Sequence, residues 1–367
     1  RNMGKSQFYC FTRVAIPLAR PAIIGGASLV VMETLNDYGA AKYFGIDTFT
    51  TGIFKAYYDL DDPIAALRLS AILLVFILAF FWIERMQRGK SKYSDSKGTR
   101  PVARTDLHGY KAVFAIIACM IPVTLGFIIP VFQLLFTGIS STPDIEMGAF
   151  FKLIFNSFAL AVIAAAIIGL IALYLCWLKH INETATQSLL NRICSLGYGI
   201  PGAVIAIGVM MTLLWFDKQI FHKTLIYGTL FALIFAYVVR FMAVGMHPVE
   251  SGFRRMGKQL TEAARSLGKG KFTSFFRIEL PLVKNAIIVS VILVFVDVLK
   301  ELPLTLILRP FNMETLATMT YGLADEEMLS EASVYALIII LTGLIPIFIL
   351  NKLLKSGKYL ADIRDVT

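Results

Sequence analysis

The sequence predicts an all-α protein, a polytopic transmembrane helical bundle of about eight spans. Of its 367 residues, 57% are AVILMFWYC and only 16% are charged, whereas a soluble domain has about 25% charged residues. The mean hydropathy is +0.71, and several apolar runs approach the roughly 20 residues that a helix needs to cross a bilayer. Helices pair all backbone groups within one segment, as lipid requires. A cytosolic enzyme, a secreted disulfide scaffold and a disordered regulator are thereby excluded.

Eight segments are long and apolar enough to be predicted as spans. In chain order they are 20–36, 64–83, 110–137, 148–178, 195–216, 224–246, 284–304 and 331–350. Pro21 interrupts the first of them, and Glu33 lies near its end. We expect His247-Pro248 to end the sixth, because proline lacks a backbone donor and disfavours helix at the preceding residue.

The cations predict the orientation. The net charge of +10 arises mainly from the loops 85–111 and 247–284 and from both tails, while the alternate loops are acidic. Basic loops stay in the cytoplasm, so we expect a multi-pass membrane protein with both termini of this chain cytoplasmic. Nucleic acid is not an expected partner, and membrane lipid is. The four cysteines have no metal-ligand spacing and are predicted to be packing residues.

An internal repeat predicts the domain organisation. At an offset of 264, ten of the 21 positions in 4–24 are identical to 268–288, and farther on Glu33 faces Asp297 and Asp37 faces Glu301. We therefore predict the end of a first module over 1–84, a cytoplasmic linker over 85–109, and a complete six-span module over 110–367. On this prediction the chain is N-terminally truncated.

The loop at about 247–283 predicts a docking element. Its apolar positions recur at helical spacing from Met256 to Leu267, Gly268 is expected to close this short amphipathic helix in a left-handed conformation, and a second amphipathic piece leads to Pro281. The strings E-A-A-R-S-L-G and I-E-L-P are separated by nine residues. The residues that carry the pattern are Glu262, Ala263, Ala264, Gly268, Ile278, Leu280 and Pro281, and the first copy of the repeat retains Gly4 and Pro17.

This pattern resembles the EAA loop of bacterial importer permeases of the ATP-binding-cassette (ABC) class. The resemblance implies that the loop forms a coupling helix seated on separate ATPase subunits, a homodimer on the cytoplasmic face, and that the chain belongs to the bacterial plasma (inner) membrane. The alternative is an amphipathic helix drawn to anionic lipid of the inner leaflet. The sequence has no G-x-x-x-x-G-K-[ST] motif. We therefore expect no enzymatic activity, no catalytic residue and no cofactor in this chain, with ATP used by the partner.

Two further stretches indicate the cargo. E-T-L-N-D-Y-G-A-A-K-Y-F-G from Glu33, followed by T-F-T-T-G-I-F, and D-V-L-K-E-L-P from Asp297 resemble fused two-module permeases of the ferric iron importer family. The resemblance implies iron(III) delivered by an extracytoplasmic iron-binding protein. A fused permease for thiamine or another small solute remains an alternative, as does a secondary transporter or channel that works without ATP.

Four carboxylates form the candidate substrate pathway. Glu33 and Asp37 are four residues apart, as are Asp297 and Glu301, so each pair lies on one helix face. Counting from Lys284 puts the second pair about 20–25 Å into the membrane. One hypothesis is a ring that passes a hard trivalent cation, which prefers oxygen ligands. The alternative is structural: Lys300 or Arg309 neutralises the carboxylates, or they hold a broken helix before Pro303. Whether a metal site exists stays open.

The remaining polar residues are given simpler roles. Tyr57 and Tyr58 are predicted to belong to an interfacial aromatic belt, and Arg240 is predicted to extend to the inner surface. The four histidines are expected to be solvated: His108, His180, His222 and His247.

Overall fold

A computed structural model describes residues 6–88, 107–140, 146–182, 184–194 and 197–364, and within these ranges it has helices and no strands. The helices before the linker are α1 (Ile16–Asn36), α2 (Gly39–Tyr43), α3 (Phe49–Phe54) and α4 (Pro63–Arg88). The next are α5 (Tyr110–Val123), α6 (Ile129–Ser140), α7 (Met147–Ile181), α8 (Ala185–Cys194) and α9 (Gly202–Phe216). The last are α10 (Leu230–Met256), α11 (Gln259–Ser266), α12 (Leu280–Leu299), α13 (Pro303–Leu308), α14 (Leu316–Asp325) and α15 (Leu329–Arg364).

The transmembrane bundle is confirmed. Seven helical segments of the described chain are long and apolar enough to span a membrane: Pro63–Ile83, Tyr110–Ser140, Met147–Ile181, Gly202–Phe221, Leu230–Met256, Lys271–Leu299 and Leu329–Ile349. An eighth is formed by Phe8–Arg20 and Ala22–Asn36 together, which meet at 56°. The bend falls at Pro21, where the missing N–H removes a helical hydrogen bond.

Several predicted span boundaries are wrong, and three of them bear on the site. Helix α10 does not stop at His247-Pro248 but continues to Met256, because Val249 and Phe253 beyond the proline are buried and their packing outweighs the lost hydrogen bond. It ends instead at Gly257, with φ +71°. The fifth span begins at Gly202 rather than 195, directly after Pro201. The seventh ends at Leu299 rather than 304.

The long helices α7, α10 and α12 form the centre of the bundle. A Cβ added to Gly245 of α10 would lie 2.6 Å from Ile168 of α7, and one added to Gly169 would lie 2.9 Å from Val291 of α12. The Ser290 hydroxyl donates to the Gly245 carbonyl at 2.6 Å. Small residues and an interhelical hydrogen bond let these backbones approach closely, so the three helices pack as one tight unit.

The same order of elements follows α1 and α12. In each case a break is followed by a short helix, then a helix that starts with a threonine capping box, then a long span. The two capping boxes are Thr48 with Thr51 and Thr315 with Thr318. This parallel extends the repeat seen in the sequence, although the module boundaries stay a prediction. Gly4 and residues 89–106 of the predicted linker region lie outside the described residues.

Candidate functional site

The loop between α10 and α12 exposes one face of a short helix. In α11, Glu262 and Ala263 are exposed while Ala264 is buried. Gly268 follows with φ +74°, and a Cβ there would meet nothing within 4 Å, so the predicted left-handed glycine is confirmed. Ile278 and Leu280 are half-buried, and Pro281 is exposed, as is Pro17 of the first copy. The loop thus presents Glu262, Ala263 and Gly268 on an open surface.

A buried polar network lies beneath this loop. The Glu279 carboxylate, 1% exposed, accepts hydrogen bonds from Trp177 Nε1 (2.9 Å), Thr261 Oγ1 (3.0 Å) and Ser274 Oγ (3.2 Å). His180 Nε2 lies 3.1 Å from Thr261 Oγ1. The prediction that His180 is solvated is wrong, because the loop folds back over the end of α7 and covers it. Sequence reasoning also missed Glu279, although its place between Ile278 and Leu280 in I-E-L-P was a visible signal.

All four predicted pathway carboxylates line one cavity of about 310 Å³. Glu33 and Asp37 come from the end of α1, and Asp297 and Glu301 come from the end of α12. The walls also contain Asn36, Arg240 and Lys300. A second cavity of about 300 Å³ shares Glu33, Asn36 and Arg240 with the first. The helix ends of both predicted modules therefore meet at one polar chamber.

Cations neutralise much of this acidic chamber. Lys300 Nζ lies 3.2 Å from Asp297 Oδ1 and 3.8 Å from Glu33 Oε1. Arg240 Nε lies 3.2 Å from Glu301 Oε2. Of the two cations expected in the structural alternative, Lys300 takes this role, whereas Arg309 pairs with Glu314 instead. The prediction for Arg240 is wrong: its side chain is buried because α10 turns it toward Glu301.

The carboxylates do not form a ready-made metal site. Within the described ranges, no group of three or more His, Cys, Asp or Glu residues is arranged to hold a metal ion. The Oδ1 atom of Asp37 accepts a hydrogen bond from the Ala40 backbone N–H at 3.1 Å. A role for the four as a cation ring stays a prediction. The geometry provides a partly neutralised chamber of about 310 Å³ lined by all four carboxylates.

Glu301 and Asn36 secure the helix ends around the chamber. Glu301 Oε1 accepts from the Leu304 N–H at 3.1 Å, and the Thr305 hydroxyl donates to the Glu301 carbonyl at 2.8 Å. Asn36 Oδ1 accepts from the Gly202 N–H at 2.8 Å, so a residue of the predicted first module caps a helix of the predicted second module. This satisfies an N–H that has no partner within α9. The sequence did not single out Asn36, since its partner is 166 residues away.

Tyrosine hydroxyls join the elements next to the chamber. The Tyr38 and Tyr321 oxygens are 2.9 Å apart, and Tyr58 donates to the Leu306 carbonyl at 2.7 Å. Tyr57 and Tyr227 are 3.3 Å apart. Burial raises the pKa of Tyr38, and it raises the pKa of Tyr58 to about 12, so both hydroxyls remain protonated at neutral pH. Tyr57 and Tyr58 therefore make specific tertiary contacts beyond the predicted membrane belt.

Comparison with known proteins gives one family match. The model of the family "binding-protein-dependent transport system inner membrane component" matches residues 181–357. The Fe(3+)-transport system permease protein FbpB 2 of Haemophilus influenzae is 27% identical over 96% of this chain and 69% of its own length. The ferric transport system permease protein FbpB of Actinobacillus pleuropneumoniae is 24% identical over 80% of this chain, which spans only 45% of that relative.

A solved structure shares the fold. A chain of a bacterial alginate ABC transporter, crystallised with an alginate pentasaccharide-bound periplasmic protein, aligns with a TM-score of 0.53 and 14% identity. The alignment covers 66% of this chain and 93% of the other. At this identity the likeness concerns the fold alone, which agrees with the predicted permease architecture.

Proposed function

We propose that this chain is the membrane-spanning subunit of an ABC importer for ferric iron, on the premise that residues 181–357 match the family of binding-protein-dependent transport system inner membrane components. The observation that carries the cargo assignment is the similarity to an Fe(3+)-transport permease over 96% of this chain. The coupling-type loop around α11 and the chamber lined by Glu33 and Asp297 support the same proposal.

The energy source is a separate ATPase that docks on α11. This helix is exposed at Glu262 and Ala263 and ends at an open, left-handed Gly268, so it offers a small convex element for a groove in a partner. Closure of an ATPase dimer on ATP would draw two such elements together, one from each module. The loop and both ends of the described chain then lie in the cytoplasm, and an extracytoplasmic binding protein delivers iron to the opposite face.

The chamber suits a cation that must pass without being trapped. From Leu280 to Asp297 the helix rises about 26 Å at about 1.5 Å per residue, so Asp297 lies near the membrane end opposite the loop. Carboxylate oxygens attract a hard cation, while Lys300 already occupies the space between Glu33 and Asp297. An incoming cation would compete with this ammonium group, which keeps binding weak enough for release.

Reconstitution with the ATPase and the binding protein tests the proposal. We expect ATP-dependent uptake of radioactive iron, and we expect Glu33→Gln together with Asp297→Asn to reduce uptake at least tenfold while ATP hydrolysis continues. Asp47→Asn, which removes an exposed carboxylate outside the chamber, is the matched control. Uptake of thiamine in place of iron would reject the cargo assignment, and uptake without any ATPase would reject the ABC mechanism.

A further inference from the structure

The Glu279 carboxylate joins three separate segments of the chain. Trp177 belongs to α7, Thr261 belongs to α11, and Ser274 belongs to the segment that leads into α12. All three donate to the same carboxylate, and the acceptor is 1% exposed. A buried carboxylate depends on such donors, because losing one leaves it less compensated in a medium of low dielectric constant.

The direction of these hydrogen bonds extends the network to His180. The Thr261 hydroxyl has one proton, and it donates this proton in its hydrogen bond to Glu279 Oε1. The contact of 3.1 Å between Thr261 Oγ1 and His180 Nε2 therefore requires the histidine nitrogen to donate. His180 is at the end of α7, so Thr261 is held from both sides: by the α7 histidine and by the carboxylate at the start of α12.

The tightly packed helices α10 and α12 connect the network with the chamber. Cys176 Sγ lies 3.8 Å from the Met246 carbonyl, and Lys179 pairs with Glu250 at 2.7 Å, so α7 is also bound to α10 close to the network. Arg240 of α10 and Asp297 of α12 line the chamber. A force on α11 can thus reach the chamber through closely packed helices.

We propose that Glu279 is a positioning residue that ties the docking helix α11, through Thr261, to α7 and α12, so that movement of the docked ATPase reaches the chamber. This inference rests on the proposed function and deepens it. Without these hydrogen bonds to Glu279, α11 still binds the ATPase through its exposed face, but it moves independently of the long helices. The complex then assembles normally, while ATPase movement no longer reaches the chamber.

Thr261 offers a clean test, because Thr261→Val keeps the shape and removes the hydroxyl, whereas Thr261→Ser keeps the hydroxyl. The assay uses the complex with its ATPase, with Cys10, Cys119 and Cys194 replaced by alanine, the buried Cys176 retained, and Met32→Cys as a reporter in the second cavity. The rate of labelling by a hydrophilic maleimide is measured with and without ATP and vanadate. Ser266→Ala is the control, since Ser266 Oγ bonds only the exposed turn at Glu262.

We expect nucleotide to change the labelling rate in the parent, Thr261→Ser and Ser266→Ala complexes. In Thr261→Val the change should shrink roughly tenfold, as for the loss of a hydrogen bond to a buried charge, while the ATPase still co-purifies. Trp177→Phe, which removes a different donor to Glu279, should also reduce the nucleotide-dependent change in the labelling rate. The proposed role of Glu279 would be overturned if Thr261→Val and Trp177→Phe both kept the full nucleotide-dependent change in labelling rate. It would also be overturned if Thr261→Ser lost as much of this change as Thr261→Val. A parent complex without any nucleotide response would instead refute the proposed function itself.

Discussion

Arg240 Nε lies 3.2 Å from Glu301 Oε2, and the two side chains are only 6% and 5% exposed. Arg240 belongs to α10, and Glu301 follows α12 at the break before α13. Removing one member of a buried ion pair leaves an uncompensated charge. The pair therefore fixes the broken helix against α10 at the wall of the chamber.

Arg240→Met should strongly destabilise the protein. The unpaired Glu301 would cost about 3–5 kcal/mol, the usual penalty for breaking a buried pair, and the melting temperature of the purified permease in detergent reports it. Combining Arg240→Met with Glu301→Gln should recover part of the loss, because no buried charge then remains. If Arg240→Met alone were as stable as the parent, the ion pair would not stabilise the interruption between α12 and α13.

Gly202 should tolerate no side chain. A Cβ there would lie 2.5 Å from both Arg240 Nη1 and Glu301 Oε1, so Gly202→Ala should displace the ion pair and lower the melting temperature. Gly208→Ala on the same helix is the matched control, since a Cβ there meets nothing within 4 Å. Alanine stabilises a helix by up to about 1 kcal/mol relative to glycine. Equal behaviour of the two variants would count against a close approach at Gly202.

Asn36→Ala should weaken the junction between the two predicted modules. The variant loses the hydrogen bond to the Gly202 N–H, and loss of a helix cap costs about 1 kcal/mol. We expect a lower melting temperature and slower iron uptake. Thr34→Ala is the control, because Thr34 bonds only the Val30 carbonyl within its own helix. A Thr34 variant that is as impaired as the Asn36 variant would argue for a general effect on α1.

Gly268→Trp and Glu262→Lys should detach the ATPase without unfolding the permease. Space is open at Gly268, so the indole fits the isolated chain and obstructs only a docked partner. The strain of a side chain at φ +74° costs about 1–2 kcal/mol, and Gly268→Ala shares that strain without the bulk. Co-purification of the ATPase should thus fail for tryptophan and persist for alanine. Retention in both the tryptophan and lysine variants would contradict the docking role.

Much of the candidate site could be predicted because its signals are local or repeated. Helical spacing and a terminal glycine predicted α11, and the repeat offset aligned Glu33 with Asp297 and Asp37 with Glu301 before any geometry was known. Arg240 and His180 were misjudged for a common reason. Near the end of an apolar segment, a polar residue can face the membrane surface or a neighbouring helix, and one sequence does not distinguish these environments.

Composition and residue spacing alone predict that the chain forms membrane-spanning helices, that a loop pattern repeats, and that four carboxylates fall at matching positions. Those properties depend on composition and spacing within short segments. Helix packing, by contrast, sets three contacts: Lys300 and Arg240 pair with three of these carboxylates, Asn36 caps a helix far along the chain, and Glu279 joins α11 to α7 and α12. Each of these contacts forms between segments distant in sequence, and it exists only where helix packing brings their side chains within hydrogen-bonding or ion-pairing distance.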